Sequence, residues 1–190
     1  FQFLREHLPQ GPVLVQVPMT GHSASLACRR CGNRATCAKC GGPMRARRRD
    51  EPECALCGFK PTRWSCQHCH TSQLRTPLPG AARTAEELAR AFPGVLAVNS
   101  SAKNIRDEIP DEPAIVVATP GAEPSAPSGY AGVMILDTEV TLGRVSHRAA
   151  EEAVRRWSNA AAMARRPVDG GSVLLVGSAT HPAVQALLRA

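Results

Sequence analysis

Long apolar runs are missing from this sequence of 190 residues. None approaches the ~18–20 consecutive apolar residues that a membrane span needs, so no membrane partner is expected. A charged-then-apolar leader is missing too. The chain opens on Phe1 and closes on an alanine-rich helical pattern, and it reads as a piece of a longer protein. No G-x-x-x-x-G-K-[ST] loop occurs, so these residues lack the usual cradle for a nucleoside triphosphate. Aromatic residues make up only 4%, while 43% of the chain is hydrophobic and 21% charged. That composition excludes a disordered tail or a collagen-like rod. At this length one ordinary domain with a small appendage is expected, and a core removing ~70% of the unfolded surface from water is within reach.

Cysteine is absent outside residues 28–69, and inside that stretch it is dense. All eight form C-x-x-C pairs: Cys28 with Cys31, Cys37 with Cys40, Cys54 with Cys57, and Cys66 with Cys69. Disulfide scaffolds spread their cysteines through small coreless domains, whereas the rest of this chain can supply a core of its own. A thioredoxin-like redox pair would stand singly. Metal ligation is the reading that remains. Two residues between thiolates let one tight turn present both sulfurs to one ion at ~2.3 Å, and two such turns complete a tetrahedron. Glycine follows the second cysteine in three pairs (Gly32, Gly41, Gly58), and His70 holds that place in the fourth. Positive φ at these positions is expected to aim backbone N–H groups at sulfur.

Eight thiolates fill two four-cysteine sites and leave no position for water, which predicts two structural Zn²⁺ ions. Iron–sulfur clusters more often use unevenly spaced cysteine triplets with a remote fourth ligand. Four pairs can combine sequentially, crossed or nested. The thirteen residues between Cys40 and Cys54 are close to zinc-ribbon spacing. This favours an inner site of Cys37, Cys40, Cys54 and Cys57, with Cys28, Cys31, Cys66 and Cys69 as the outer site. Nesting would bring the two ends of the module together, as suits an insertion hanging from a sheet. His22, His68 and His70 are read as bystanders.

Acidic residues are scarce in the same stretch. Residues 26–75 hold eleven basic and three acidic residues, against twelve and thirteen elsewhere, within an overall charge of +7. Two zinc ions and eight thiolates together carry −4, so the module keeps about half of its excess. Candidate DNA-binding residues are Lys39, Arg45, Arg47, Arg48, Arg49, Lys60 and Arg63, with Arg29 and Arg30 adding charge. Basic residues beside the aromatics Phe59 and Trp64 suit single-stranded nucleic acid, through phosphate attraction and base stacking. Two plainer readings stand beside this: residues 45–49 as a solvated hairpin tip, and Trp64 as packing for a small metal core.

The remainder predicts α/β architecture. Apolar strands are expected at Val13–Val17, Val95–Val98, Ala114–Ala118, Val133–Leu136 and Val173–Gly177. Helices are expected after a capping box at Thr84-Ala85-Glu86-Glu87, from His147 to Met163, and from Pro182 to Leu188. Strands that are apolar throughout and alternate with helices indicate a parallel sheet covered on both faces. The domains follow as 1–25 with 76–190, and 26–75 as the cysteine insertion.

A strand, four nested cysteine pairs, Gly80–Leu88, Ala91–Gly94, Ile135-Leu136-Asp137, Arg148–Glu151 and the strand before His181-Pro182 together carry a resemblance. In that pattern the chain resembles the second helicase lobe of the primosomal protein N′ (PriA) family, over nearly its whole length. The resemblance implies a RecA-like lobe with a zinc-bearing insertion and a cytoplasmic role in replication restart. It also implies DNA, single-stranded or forked, as a ligand, with other primosome proteins and the replicative-helicase loading machinery as partners.

The family's ATP-driven motor needs residues that this sequence has exchanged. Ala118–Pro124 stands in place of a glycine-lysine-glycine motif, and Asn159–Arg166 in place of Q-x-x-G-R-x-G-R. Met163 then replaces the first arginine and only Arg166 keeps its match. An arginine finger is worth roughly 10³–10⁵ in rate, and methionine cannot replace it. These losses resemble the helicase-dead form of the family in actinobacteria. Asp137 and Glu139 end a strand as a Walker-B acid would, although strand-end acids more often cap or solvate. Arg165 and Arg166 lie where a helix macrodipole alone would favour them. A diverged ATP-dependent helicase and a generic zinc-ribbon interaction module are the competing expectations.

Overall fold

The computed structural model describes residues 1–18, 26–48, 51–75, 80–102, 104–142, 147–177 and 179–189, with the side chains of Arg47 and Arg48 outside the description. In chain order the elements begin with helix α1 (Gln2–His7) and strand β1 (Val13–Gln16). Four short strands follow: β2 (Ala27–Cys28), β3 (Met44–Arg48), β4 (Glu51–Cys54) and β5 (Leu74–Arg75). Then come α2 (Ala81–Ala91), β6 (Leu96–Ser100), β7 (Ala114–Ala118) and β8 (Gly132–Ile135). The chain finishes with α3 (Thr138–Leu142), α4 (Ala149–Ala161), β9 (Ser172–Leu175) and α5 (Pro182–Leu188). Two compact units result: Phe1–Met19, Gly80–Leu142 and Arg148–Ala190 form one, and Thr20–Pro79 with Gly143–His147 the other. Among the described residues no helix is long and apolar enough to cross a membrane.

The first unit is a five-stranded sheet in the order β6-β7-β1-β8-β9, parallel throughout. Strand alternation sends successive side chains to opposite faces. Val13, Val15, Ile115 and Val117 therefore pack with Leu4 and Leu8 of the α1 segment and Ala81 and Ala85 of α2. Leu14, Val116, Val133 and Ile135 face Ala153, Trp157 and Ala160 of α4 and Ala183 and Val184 of α5. With both faces covered, β7 and β1 have no position for a polar side chain until Gln16 at the strand end. This mixed α/β arrangement fits a RecA-like lobe carrying a cysteine-rich insertion.

The predicted bounds of β7 and α5 match the structure, and the other elements shift by one or two residues at their ends. The expected Thr84 capping box is corrected. Helix α2 is capped by Gly80, and the Thr84 amide already donates to the Gly80 carbonyl at 3.0 Å. Burial of Ala81 and Ala85 against the sheet extends the helix by one turn, an energetic reward that outweighs the local cap. Helix α1 leaves no mark in the hydrophobic pattern, because six residues are too few to display a helical period.

Candidate metal centre

Each cysteine pair builds the same local turn. The first cysteine's amide donates to the carbonyl five residues on: Cys28 to Asn33 at 2.8 Å, Cys37 to Gly42 at 2.8 Å, Cys54 to Phe59 at 2.8 Å and Cys66 to Thr71 at 2.9 Å. The residue after the second cysteine is left-handed in all four turns, with φ of 76°, 69° and 69° at Gly32, Gly41 and Gly58 and 56° at His70. Its amide donates to the first cysteine's carbonyl, at 2.9–3.1 Å across the four turns. The left-handed residue also turns the next amide toward the second cysteine's sulfur, as expected: Gly42 N–H reaches Cys40 and Thr71 N–H reaches Cys69. Other N–H groups reach the first cysteine's sulfur from inside the pairs: Cys31 to Cys28 Sγ at 3.5 Å, Lys39 to Cys37 Sγ at 3.4 Å and Cys57 to Cys54 Sγ at 3.5 Å.

A left-handed backbone costs an L-residue roughly 1 kcal/mol more than glycine. His70→Gly is therefore expected to stabilise the second unit by about 1 kcal/mol without changing its metal content. A urea titration of the metal-loaded protein, followed by Trp64 fluorescence, checks this; an unchanged or lower midpoint counts against it.

Tertiary pairing joins the turns in nested order. Cys28, Cys31, Cys66 and Cys69 form one cluster, and Cys37, Cys40, Cys54 and Cys57 the other, with every ligand atom of a cluster within 4.8 Å of the rest. Antiparallel pairing of Ala27 with Arg75 and of Cys28 with Leu74 closes the outer cluster. The hairpin β3–β4, with Met44 opposite Cys54, closes the inner one. In the outer cluster Cys28 and Cys69 sulfurs lie 3.4 Å apart and those of Cys31 and Cys66 3.6 Å. In the inner cluster the separations are 3.8 Å for Cys37–Cys57, 3.5 Å for Cys40–Cys54 and 3.4 Å for Cys40–Cys57. These are far beyond the ~2.05 Å of a disulfide bond, and each cluster could hold one metal ion.

The protein tunes these sulfurs unevenly. The Cys69 amide holds the Cys66 thiol below its ordinary value. Burial opposes the same effect at Cys54, but hydrogen bonds from the Cys57 and Leu56 amides and from neighbouring sulfurs bring it down to about 6. At Cys40 the Gly42 amide is outweighed by the Cys57 and Cys54 sulfurs, which push it up to about 12.

Trp64 belongs to the core of this unit. It packs with Leu26, Met44 and the cysteines, is only 6% exposed, and donates from Nε1 to the Thr36 carbonyl at 3.0 Å. The exposed stacking platform is thereby excluded for Trp64, because the indole is among the few large side chains, with Met44 and Leu26, that fill this small core.

The candidate DNA-binding residues are distributed less simply. Arg45 is half-buried and ion-paired with Glu53, a carboxylate that only the hairpin register places opposite it. Lys60 approaches the same carboxylate at 4.0 Å. Lys39 lies over the Phe59 ring, 4.3 Å from its centre. Arg63, Arg29 and Arg30 are exposed. Arg49 and His22, and the side chains of Arg47 and Arg48, lie outside the described residues.

At the carboxyl end of the sheet, the Ala118–Pro124 segment is closed by an acid. Glu123 accepts from Gln16 Nε2 at 2.6 Å and from the Gly121 amide at 2.7 Å. Asp137 follows β8 in a left-handed conformation with φ 53°, and burial together with Glu139 raises its carboxyl above the ordinary range. Arg165 donates to the Gly129 carbonyl at 3.2 Å and the Gln10 carbonyl at 2.8 Å, while Arg166 pairs with Asp169 at 2.8 Å. Met163 packs against the α4 core.

No protein-family model matches the chain. Over 180 residues the chain is 48% identical to the "Probable replication restart protein PriA" of Mycobacterium leprae (strain TN), a match covering 94% of this chain and 28% of that protein. The chain is homologous to a segment of PriA. The protein of the same name from Mycobacterium tuberculosis (strain ATCC 25618 / H37Rv) is 44% identical, again over 94% of this chain and 28% of the relative. The chain thus spans about 28% of the length of these PriA relatives.

Proposed function

We propose that this chain is the metal-bearing part of a replication restart protein. It binds single-stranded or forked DNA in the cytoplasm and assembles with other primosome proteins and the replicative-helicase loading machinery. It does so as a scaffold, without ATPase or helicase activity. The observation that carries the reading is the pair of nested four-cysteine clusters, lying in a segment that shares 48% identity with a protein named for replication restart. In this reading residues 26–75 are an insertion in a lobe formed by 1–25 and 76–190.

The ion in each cluster is Zn²⁺. Four thiolates at ~2.3 Å from one ion stand about 3.8 Å apart along each tetrahedral edge, and the sulfur separations here run from 3.4 to 3.8 Å. Cys28, Cys31, Cys66 and Cys69 hold one ion and Cys37, Cys40, Cys54 and Cys57 the other. A fully thiolate shell leaves no open position, so the metal holds the fold and does not act on substrate.

The absence of a motor is supported by what occupies the expected phosphate contacts. Glu123 places a carboxylate in the segment where the family has a lysine, and like charge repels a phosphate. Arg165 is engaged by backbone carbonyls and Arg166 by Asp169, while Met163 is apolar. Full-length protein is expected to show no DNA-stimulated release of phosphate from ATP above background. Robust hydrolysis, lost on removing a catalytic residue in the rest of the protein, would overturn the scaffold reading.

The DNA surface is tested at Arg47, Arg48, Arg49, Lys39, Lys60 and Arg63. Arg45 is a poor target, because a glutamate there would oppose the buried Glu53. Reversing Arg47, Arg48 and Arg49 together is expected to lower the salt slope of single-stranded DNA binding by about 2, at about 0.7 per phosphate contact. An unchanged slope and affinity would place the DNA surface elsewhere.

A further inference from the structure

The last strand of the sheet is the one element whose sequence and position disagree. Strand β9 and its flanks read Gly170-Gly171-Ser172-Val173-Leu174-Leu175-Val176-Gly177, an aliphatic run comparable to β7. Strand β7 is central in that sense: all five of its residues are buried, with β6 on one side and β1 on the other. Strand β9 ends the sheet instead, pairing only with β8, and Val173, Leu174 and Val176 are 39%, 36% and 41% exposed. Val168 just before the strand and Leu188 at the end of α5 are exposed as well.

Edge strands ordinarily carry a lysine, an inward charge, a proline or a bulge that discourages further pairing. Ser172–Val176 has none of these. The opposite edge differs in that β6 ends in the polar Asn99 and Ser100 and packs against α2, its one large exposed apolar side chain being Leu96 at the strand start. The backbone of β9 is also set up for a neighbour. Val176 donates to the Ile135 carbonyl at 2.8 Å, so alternation turns the N–H and C=O groups of Val173 and Leu175 away from β8 and toward the open edge. Beyond Ser172, which bonds His7 at 2.6 Å, the side chains on both faces are apolar: Leu175 joins the α4 and α5 core, while Leu174 stands beside Met134 on the α1 and α2 face.

We propose that β9 is an interior strand of the complete protein, and that its free edge pairs with a further β-strand supplied by a segment of the same polypeptide outside these 190 residues. The length of chain that could supply it is large, because the segment matched here is only 28% of the PriA relatives. An aliphatic strand with apolar side chains on both faces fits this edge, since parallel sheets bury both faces of their strands. A charged peptide or nucleic acid does not fit it, as nothing on the strand offers an opposite charge.

Amide hydrogen exchange on the full-length protein, read residue by residue, tests this directly. The Val173 and Leu175 amides are expected to exchange more slowly than an unstructured chain by on the order of 100-fold or more. Rapid exchange at both, with Val176 protected, would leave the edge open and overturn the proposal. Protection that disappears when the protein is diluted to monomers, as followed by sedimentation, would also overturn it by assigning the edge to a second copy. Val173→Pro adds a second readout. Proline is tolerated where the N–H of an edge strand faces solvent but removes a ladder bond where a strand is paired. The variant is expected to accelerate exchange in one additional segment outside residues 1–190, identifying the partner strand. A change confined to β9 itself counts against the pairing.

Discussion

On the proposed assignment of one Zn²⁺ to each cluster, replacing Cys54 with serine is expected to lower bound zinc from two ions per chain to one and to unfold the hairpin β3–β4 with the turns around Cys37 and Cys57. Cys54 is buried and its turn is tied to the inner cluster by the Phe59 carbonyl and the Cys57 amide. The side chains available to hold this unit without metal are few: Leu26, Ala35, Met44 and Trp64 are the buried residues of its cluster that are not cysteine. A core of that size supplies no more than about 3–5 kcal/mol, whereas structural zinc contributes about 10–16 kcal/mol in comparable small modules at neutral pH.

Cys66→Ser should likewise remove one ion, but from the outer cluster, loosening β2 and β5 while the inner hairpin keeps its metal. Elemental analysis with native mass spectrometry reads the stoichiometry, and Trp64 fluorescence reads the fold. Two ions retained in either variant would reject the ligand assignment. Acid should act in the same direction as these substitutions. Each thiol must lose its proton to bind metal, so zinc affinity falls as pH falls.

Trp157→Ala is expected to destabilise the sheet unit by about 3–5 kcal/mol. The indole is 1% exposed and packs between β1, β7 and β8 on one side and α5 on the other, beside Leu14, Val116, Ile135 and Val184. Truncation removes the largest side chain of that face and leaves a cavity that a sheet fixed by backbone hydrogen bonds cannot close. Domain stability is only about 5–15 kcal/mol in total, so the variant should unfold at much lower denaturant. Circular dichroism during urea unfolding measures the loss. A change below about 1 kcal/mol, the size of an ordinary surface substitution or less, would show that the α4 face is not the core described here.

The two experiments probe parts of the molecule that were legible to different degrees. Strand β7 could be read to the residue because Pro113 and Pro120 bracket five apolar positions. The α4 face was only partly visible: helical spacing suggests Ala150, Ala153, Val154 and Trp157, but Ala150 is exposed and Ala149 and Ala160 are buried with Ala153 and Trp157. Helix α2 was only partly visible. Thr84 and Glu87 have the right types for a cap, but nothing in their spacing reveals that Ala81 has a buried place waiting on the sheet. The candidate DNA surface was the least legible part. Charge counts located it, but they could not show that Arg45 is held by Glu53 or that Lys39 lies over Phe59. Those engagements depend on which residues a hairpin and a loop place opposite one another.

By itself the sequence determined that this chain carries four C-x-x-C turns of a kind that can hold metal. Two cysteines separated by two residues can present both sulfurs to one ion through a single local turn, and the left-handed residue after each pair belongs to the same turn. It also determined a parallel sheet buried on both faces, because strands apolar at every position have no solvent side. The tertiary structure decided the rest. Nested combination of the cysteine pairs required β2 to meet β5 and β3 to meet β4 across gaps that spacing alone leaves free. Trp64 became core instead of platform because a metal module of this size has almost nothing else to bury. The edge position of β9 could not be read from its own residues either, since strand order is set by which strands a chain brings together and not by the hydrophobicity of any one of them.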